Sequence, residues 1–330
     1  MDQTFSMRLG YVAMSVLLAN ASPSQTMTVK QFEQITDKEA GIRKLERIAS
    51  SNIQNCLRLL KHNKAHDIRF FRLSSRLVPL ANHPLTEGWK FERALLPLLR
   101  EMGEFIHNEK MRVDFHPDHF VVLNSKSKAI LQQSLKTLVM HYKLLKGMGI
   151  SPVHRCVLHV GGKKEGREEG LEQFITNFSL IPVEIQRMLM LENDDVTYPI
   201  EDVLYLGEKL HIPVVFDLHH YDVNQQSTEL YTLWERVVRT WKDSPLPVKI
   251  HLSSPKEGKG DRRHHDFIDS KRFQEFLSIA AGTVDHLDVM IEAKKKDAAL
   301  LKLIEDFQAI QGIEAKSPNS INVLSRVLSS

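Results

Sequence analysis

The stretch VVFDLHHYDVN, residues Val214 to Asn224, joins an apolar run to a group of titratable side chains. Its first part, Val214–Phe216, is typical of a buried strand, and Asp217, His219 and His220 follow almost directly. Removing several titratable groups from water is costly unless they are paired or bind a ligand. The stretch therefore predicts a buried strand whose end carries a binding site.

Seven further runs rich in β-branched and aromatic residues alternate with longer amphipathic stretches. With Pro213–His220, the predicted strands are Arg8–Met14, Ile68–Ser74, Met111–Pro117, Arg155–Gly162, Arg187–Asp194, Val248–Ser254 and Leu287–Ala293. The helical patterns include Gly41–His62, Phe91–Asn108, Lys128–Gly147, Thr228–Trp241 and Asp297–Ile310. Eight strand–helix units in series predict a TIM (β/α)8 barrel, a single α/β domain over residues 1–310. The Ser- and Asn-rich residues 311–330 are expected to be a loosely ordered C-terminal extension.

Composition narrows the classes of protein. The 330 residues are 42% hydrophobic, and 44 Lys and Arg against 41 Asp and Glu give a net charge of +3. So small a charge excludes nonspecific coating of nucleic acid but leaves room for a local basic patch. Two cysteines, Cys56 and Cys156, make no disulfide framework, which favours a cytoplasmic location. No apolar run approaches the roughly 20 residues of a membrane-spanning helix.

The N-terminal segment MRLGYVAMSVLLANASPS, residues 7–24, loosely imitates a signal peptide. Its one arginine, Arg8, is offset by Asp2, and Gly10 and Ser15 interrupt the apolar stretch. Removal of residues 1–22 would also delete the first of the eight strands. We therefore expect this segment to be part of the barrel.

Every predicted strand after the first ends in acids, bases or polar side chains. In chain order these include Arg72, Ser74, His116, His159, Glu192, Asp217, His220, Lys249, His251 and Glu292. The carboxyl ends of barrel strands form the face on which active sites are built. Strand alternation also places Lys249 and His251 on one face. Singly, each residue is explained equally well as a satisfied structural group or an ion-pair partner.

Together around one rim, these residues predict a metal site, because imidazoles and carboxylates bind cations that compensate their desolvation. A His, Asp and Glu set without cysteine suits Zn, Mn or Fe, and more than four ligands indicate several ions. Such centres hydrolyse phosphodiesters. Two basic, glycine-containing loops, Gly161–Arg167 and Lys256–Asp266, favour a phosphate-bearing substrate, although such loops are also ordinary solvated surface.

The motifs at the strand ends resemble, in their order, those of the UV damage endonucleases, relatives of endonuclease IV among the xylose-isomerase-like barrels. From RLGY at Arg8 onward they are FRLSS (Phe71–Ser75), PLANHP (Pro79–Pro84), FHPDHFVVLNS (Phe115–Ser125), LHVGGKKEGR (Leu158–Arg167), LENDD (Leu191–Asp195), VFDLHHY (Val215–Tyr221), KIHLSS (Lys249–Ser254), HHDFI (His264–Ile268) and MIEAKKKDAAL (Met290–Leu300). The resemblance implies incision of damaged double-stranded DNA immediately 5′ of UV photoproducts, and in some members also at abasic or distorted sites.

The resemblance also implies a ligand set for as many as three divalent cations. Manganese is expected, with magnesium, cobalt and zinc as alternatives. The ligands would be His116, His159, Glu192, Asp217, His220, His251, His264 and Glu292. Glu192 and Glu292 would bridge ions and act in catalysis. Lys249 corresponds to a lysine that can be carboxylated, and an unmodified Lys249 is expected to meet the scissile phosphate instead.

Further residues correspond to positions that contact the substrate. His119 and Phe120 match a pair that probes the DNA stack, although His119 stands where glutamine is the family pattern. Tyr11 and Ser15 match positions near the lesion, and Ser15 replaces an expected asparagine. His83 matches a histidine near the metal ions. The cations expected to hold backbone phosphates are Lys163, Lys164 and Arg167.

Two other functions compete with the endonuclease. One is a metal-dependent sugar isomerase or epimerase on the same barrel, which would need neither basic loops nor a wedge at Phe120. The other is a protein that binds damaged DNA without cutting it. Because the expected site is complete within one chain, we expect a monomer.

Overall fold

The computed structural model describes residues 4–164, 166–224 and 228–324. Eight parallel strands form the predicted barrel, in the spatial order β3-β2-β1-β8-β7-β6-β5-β4. They are β1 (Thr4–Val12), β2 (Phe70–Arg72), β3 (Arg112–Asp114), β4 (Cys156–His159), β5 (Leu189–Glu192), β6 (Val214–Asp217), β7 (Val248–Leu252) and β8 (His286–Ile291). A parallel bridge between Phe115 and Cys156 joins β3 to β4 and brings the two ends of the sheet together.

Helices surround the strands, as the amphipathic patterns predict. They are α1 (Val29–Glu33), α2 (Lys38–Ala65), α3 (Phe91–Ala94), α4 (Leu96–Asn108), α5 (Lys128–Gly147), α6 (Arg167–Phe178), α7 (Val183–Gln186), α8 (Ile200–Leu210), α9 (Leu218–Val223), α10 (Leu230–Thr240), α11 (Ser270–Ala280) and α12 (Lys296–Phe307). The pattern predicted as one helix over Phe91–Asn108 is two, α3 and α4. Pro97 explains the break, because it has no backbone N–H to continue the helix.

The register of the parallel strands brings the polar strand ends to one level. His159 lies beside Glu192, Asp217 beside His251, and Arg72 beside Asp114. Each pair belongs to neighbouring strands near their carboxyl ends. The expected active face is therefore assembled by strand pairing.

Deeper in the barrel, the interior is filled by ion pairs as well as apolar side chains. Asp288 accepts hydrogen bonds from Arg8 Nε at 2.6 Å and from Arg112 Nη1 at 2.6 Å. Burial opposes the negative charge, but Arg112 and Arg8 outweigh it and hold the pKa of Asp288 well below its usual range. The buried Asp288 carboxylate is thus compensated by two cations, of which Arg112 is buried and Arg8 is partly exposed.

The prediction of a loose C-terminal extension is wrong for residues 313–324. These residues form an antiparallel hairpin of β9 (Ile313–Ser317) and β10 (Ser320–Leu324), and β10 pairs with β1. Ile321 and Val323 are buried against the barrel. The alternation of apolar residues in SINVL was hidden by the polar composition of the segment. Residues 325–330 lie outside the described part of the chain.

Among the helices in the described ranges, none combines the length and the apolarity that a membrane crossing requires.

Candidate metal centre

The end of β6 is shaped by Asp217, which is the last residue of the strand and also the N-cap of α9. Its Oδ1 accepts a hydrogen bond from the backbone N–H of His220 at 2.8 Å, so a helix begins at once. The two histidines therefore leave the strand alternation that the sequence suggested. His220 turns toward the active face, whereas His219 contacts the Ser253 hydroxyl and the Asp261 carbonyl.

Glu192, the last residue of β5, is the point at which the expected ligands meet. Its Oε2 lies 2.8 Å from His116 Nε2 and 3.8 Å from His159 Nε2. Its Oε1 lies 2.7 Å from His251 Nδ1 and 3.7 Å from His220 Nδ1. One buried carboxylate thus contacts or faces four imidazoles that come from four different strands or strand ends.

Three groups of potential ligand atoms share Glu192. Within each group the nitrogen and oxygen atoms lie within 4.8 Å of one another. The groups are His116–His159–Glu192, Glu192–His251–Glu292 and Glu192–Asp217–His220. They contain seven of the eight expected ligands, and we call these seven residues the rim cluster. Three overlapping groups around one carboxylate are consistent with several divalent cations.

The hydrogen bonds of the rim cluster fit cation binding. His116 Nδ1 donates to the Pro117 carbonyl at 3.0 Å, which leaves the lone pair on Nε2. That lone pair faces the Glu192 carboxylate, so a proton or a cation must lie between the two atoms. Asp217 Oδ2 is buried and accepts no hydrogen bond within the described residues. The free lone pair of His116 Nε2 and the unpaired oxygen of Asp217 are therefore atoms that a divalent cation could bind.

Burial and neighbouring charges shift the protonation of the rim cluster. Burial raises the pKa of Glu192 above its usual range. Burial, together with the Arg72 cation, lowers the pKa of His116 to about 4. Burial also opposes charge on His220, but Asp217 and Glu192 outweigh it and raise the pKa of His220 to about 9. Buried groups with pKa values shifted in opposite directions are typical of functional sites.

Two expected residues lie outside the rim cluster. His264 Nδ1 donates to the backbone carbonyl of Glu292 at 2.8 Å, and the His264 ring centroid lies 6.4 Å from that of His220. Lys249 is fully buried, and its Nζ donates to Asp114 Oδ2 at 2.7 Å. The Lys249 ammonium is enclosed with Asp114 inside the barrel, and its contact with the scissile phosphate stays a prediction. Its carboxylation stays a prediction.

The UV-endonuclease UvdE family matches this chain over residues 7–323. The chain belongs to the UvdE family. The resemblance that the strand-end motifs indicated is thus confirmed. A UvdE relative from Halalkalibacterium halodurans, named UV DNA damage endonuclease, is 63% identical over 315 residues, which cover 95% of this chain and 98% of the relative. A Bacillus cereus protein of the same name is 36% identical over 308 residues, 93% of this chain and 96% of that protein.

Solved structures place the UvdE barrel among related folds. The crystal structure of SacUVDE matches with a TM-score of 0.80 and 32% identity, covering 92% of this chain and 98% of that one. Endonuclease IV from Thermus thermophilus matches with a TM-score of 0.55 and 16% identity, covering 92% and 98%. The 3-keto-D-glucoside 4-epimerase YcjR from E. coli gives 0.52 and 11%, covering 92% and 99%. The last two share the fold alone, so the epimerase likeness does not favour a sugar substrate.

The two residues expected to probe the DNA stack, His119 and Phe120, lie in the turn after β3. Phe120 is 78% exposed, and its ring lies 4.1 Å from that of His119, centroid to centroid. An exposed aromatic side chain supported by a second ring is suited to stacking on nucleobases. The probing role of this pair stays a prediction.

Tyr11 and Ser15, which were expected near the lesion, form hydrogen bonds within the protein. Tyr11 is fully buried on the outer face of β1, and its hydroxyl donates to Asn63 Oδ1 at 2.6 Å. Strand alternation gives the reason. Arg8 points into the barrel toward Asp288, and Tyr11, three residues further along the same strand, points to the opposite face. The Ser15 hydroxyl donates to Asp297, and it also accepts from nearby backbone amides. Both side chains thus have partners within the protein, and their contact with the lesion stays a prediction.

The remaining expected substrate residues are distributed unevenly. His83 caps a short 3-10 helix, Pro84–Thr86, by accepting from Leu85 N at 3.2 Å, and the contacts described for it include no member of the rim cluster. Lys163 and Lys164 are exposed in the loop after β4. Arg167 is also exposed but forms an ion pair with Asp202 at 2.9 Å. Of these three expected phosphate contacts, Arg167 is the one with an ion pair recorded among the described residues.

Three further residues shape the centre: Asn193 and Asp114 had no role in the sequence-based expectations, and Arg72 was expected at the rim without a specific partner. The backbone carbonyl of Asn193 accepts a hydrogen bond from His220 Nδ1 at 2.9 Å. The Asn193 side chain donates to the backbone carbonyl of Asp217 and accepts from its backbone N–H. Asp114 neutralises Lys249. Arg72 contacts Glu292 and His251 directly. Their positions at or beside strand ends were visible in the sequence, but their partners lie on strands distant in the chain.

Proposed function

We propose that this protein is a DNA repair endonuclease that incises the phosphodiester immediately 5′ of UV photoproducts by metal-assisted hydrolysis. The observation that carries the proposal is the convergence of six other expected ligands on Glu192, in a chain that belongs to the UvdE family. The 63% identical relative is named for the same activity. Abasic and distorted sites are proposed as secondary substrates.

The rim cluster would hold the cations of such a reaction, with Mn²⁺ as the proposed ion. When bound, divalent cations lower the pKa of a water and stabilise charge on phosphate oxygens. Glu192 would belong to every cation position and fix their spacing, because all three groups include it. Asn193 would orient His220 through the hydrogen bond to Nδ1, leaving Nε2 as the ligand atom. His264 is proposed to bind through Nε2 in the same way, since its Nδ1 is committed to a carbonyl.

The exposed aromatic pair and the basic loop account for recognition of damaged DNA. Phe120 would enter the stack at a lesion, where base pairing and stacking are already weakened. Lys163 and Lys164 would contact backbone phosphates and hold the register without reading sequence. These contacts have no purpose for a free sugar, which is the reason to prefer the endonuclease.

The test of this proposal is a nicking assay on a duplex that carries one defined photoproduct. Purified protein with Mn²⁺ should produce a single nick on the 5′ side of the lesion, and chelation with EDTA should abolish it. An abasic duplex and an undamaged duplex complete the series. If Mn²⁺, Mg²⁺, Co²⁺ and Zn²⁺ each leave irradiated and undamaged duplex equally intact, the proposal fails.

The variant Glu192→Gln distinguishes cutting from binding. It removes the shared negative charge while keeping the shape of the side chain, so nicking should fall by roughly 100-fold or more and DNA binding should persist. Glu184→Gln, an exposed substitution in α7, is the matched control and should nick like the wild type. A Glu192→Gln protein that nicks at the wild-type rate would contradict the role of the rim cluster.

A further inference from the structure

An arginine guanidinium lies against the rim cluster. Arg72, the last residue of β2, is buried, and its Nη1 lies 2.6 Å from Glu292 Oε1. Its Nη2 donates to His251 Nε2 at 2.7 Å. The same imidazole uses its Nδ1–H for Glu192 Oε1 at 2.7 Å. The lone pair of His251 is therefore covered by a guanidinium.

This arrangement distinguishes one of the three ligand groups from the other two. In the group Glu192–His251–Glu292, Arg72 contacts two of the three members. Over the described ranges, neither Glu192 nor Asp217 has an ion pair with a lysine or arginine. The other buried cation nearby, Lys249, is held by Asp114. The group of Glu192, His251 and Glu292 thus already has a cation of its own.

A guanidinium and a divalent cation cannot share these atoms. Arginine stays protonated in proteins, so it cannot leave by losing its charge. A cation that binds Glu292 Oε1 and the His251 lone pair must displace one ion pair and one charge-assisted hydrogen bond. Displacement should weaken binding at this position by about 10- to 100-fold relative to an uncovered one.

The displaced guanidinium needs a new anionic partner. Its Nε is buried and has no hydrogen-bond acceptor among the described residues. The planar fork of arginine matches the geometry of phosphate oxygens, which accept two parallel hydrogen bonds from it. A substrate phosphate at the rim would supply such an acceptor.

We propose that Arg72 occupies the Glu192–His251–Glu292 position against a divalent cation until a phosphate of the substrate takes over its guanidinium. Entry of the cation and binding of the phosphate are then coupled, and by linkage each strengthens the other equally. This inference rests on the proposed function. Arg72 therefore contacts a substrate phosphate in the complex with DNA and cations. Without DNA, it occupies one of the cation positions.

The first experiment measures Mn²⁺ binding without DNA, by calorimetry and by the electron paramagnetic resonance signal of free Mn²⁺. Wild-type protein should bind Mn²⁺ at two tight positions and one position about 10- to 100-fold weaker. Arg72→Gln should tighten the weakest position toward the others. Arg76→Gln removes an exposed arginine four residues away and should bind Mn²⁺ like the wild type. Equal affinities in the wild type, or an unchanged weakest position in Arg72→Gln, would overturn the proposal.

The second experiment measures the coupling with phosphate, using a nicked duplex that carries either a 5′-phosphate or a 5′-hydroxyl at the nick. The 5′-phosphate should tighten the weakest Mn²⁺ position of the wild type by about tenfold over the 5′-hydroxyl, and by less in Arg72→Gln. Equal coupling in the two proteins overturns the role of Arg72.

Arg72→Lys, which keeps a charge but loses the fork, is the second variant if Arg72→Gln does not fold. It should show an intermediate Mn²⁺ affinity and reduced coupling, and wild-type values for both would count against the proposal. Wild-type nicking of a photoproduct tests the proposed function separately.

Discussion

Asp217 performs two tasks with its two carboxylate oxygens, and a single substitution can separate them. Oδ1 caps α9 through the His220 backbone N–H at 2.8 Å, whereas Oδ2 is buried without a hydrogen bond and is the proposed ligand atom. The substitution Asp217→Asn keeps an oxygen for the cap, since asparagine is as good an N-cap as aspartate. It replaces the ligand oxygen by an NH₂ group, which cannot bind a cation.

The expected size of the two effects follows from these contacts. Loss of a charged ligand should cost about 3 kcal/mol of binding free energy, the upper end for interactions with charged groups, or roughly 100-fold in Mn²⁺ affinity. The free energy of unfolding in EDTA should change by less than about 1 kcal/mol, because the cap persists and a buried charge is removed. Asp217→Ala removes both oxygens and should lose a further 1 kcal/mol or so of stability with the cap.

The assay is a Mn²⁺ titration by calorimetry, paired with urea unfolding in EDTA for the wild type and the two variants. Wild-type Mn²⁺ affinity at every position of Asp217→Asn would refute the ligand role of Oδ2. If Asp217→Asn were as unstable in EDTA as Asp217→Ala, the division of labour between the two oxygens would be refuted.

Two further predictions concern the barrel interior and the DNA-facing surface. Asp288→Asn leaves Arg8 and Arg112 without their carboxylate and should lower the free energy of unfolding by about 3–5 kcal/mol, measured by urea denaturation. The folded-state pKa of Asp288 is depressed, so the stability it contributes is fully present above the ordinary carboxyl pKa of about 4 and is lost as the pH falls below it. The free energies of unfolding of the wild type and the variant should therefore converge in acid. A constant difference between them down to about pH 2 would contradict this. Phe120→Ala should weaken binding to photoproduct duplex by about tenfold through lost stacking, with the free energy of unfolding unchanged. Leu180→Ala, a control at a residue that is 67% exposed, should leave both quantities unchanged. Equal binding by the two variants would exclude insertion of Phe120 into the DNA stack.

The sequence predicted that the residues of the rim cluster lie together, because each sits at the end of a recognisable strand. Runs such as Val214–Asp217 and Val248–Leu252 are recognisable by their apolar, β-branched composition. In a barrel of parallel strands all carboxyl ends meet on one face, so the order of strand-end residues already predicts a shared rim. The family motifs added the number and types of ligand.

The failures have equally specific causes. The polar composition of the C-terminal segment concealed the alternation that docks Ile321 and Val323 on β1. The partners of Tyr11 and Ser15 were also not predictable from the sequence. The parity of β1 turns Tyr11 toward Asn63. The partner of Ser15, Asp297, lies on a helix 282 residues further along the chain.

The sequence by itself determined which segments form strands and helices, their order, and which polar side chains lie at the strand ends, because these features depend on neighbouring residues. What only the tertiary structure decided is which charges meet. Arg72 contacts Glu292 and His251, and Lys249 contacts Asp114, across strands separated by more than a hundred residues. Such pairings depend on strand register and on which groups the closed interior withdraws from water, and neither quantity is written in any local stretch of sequence.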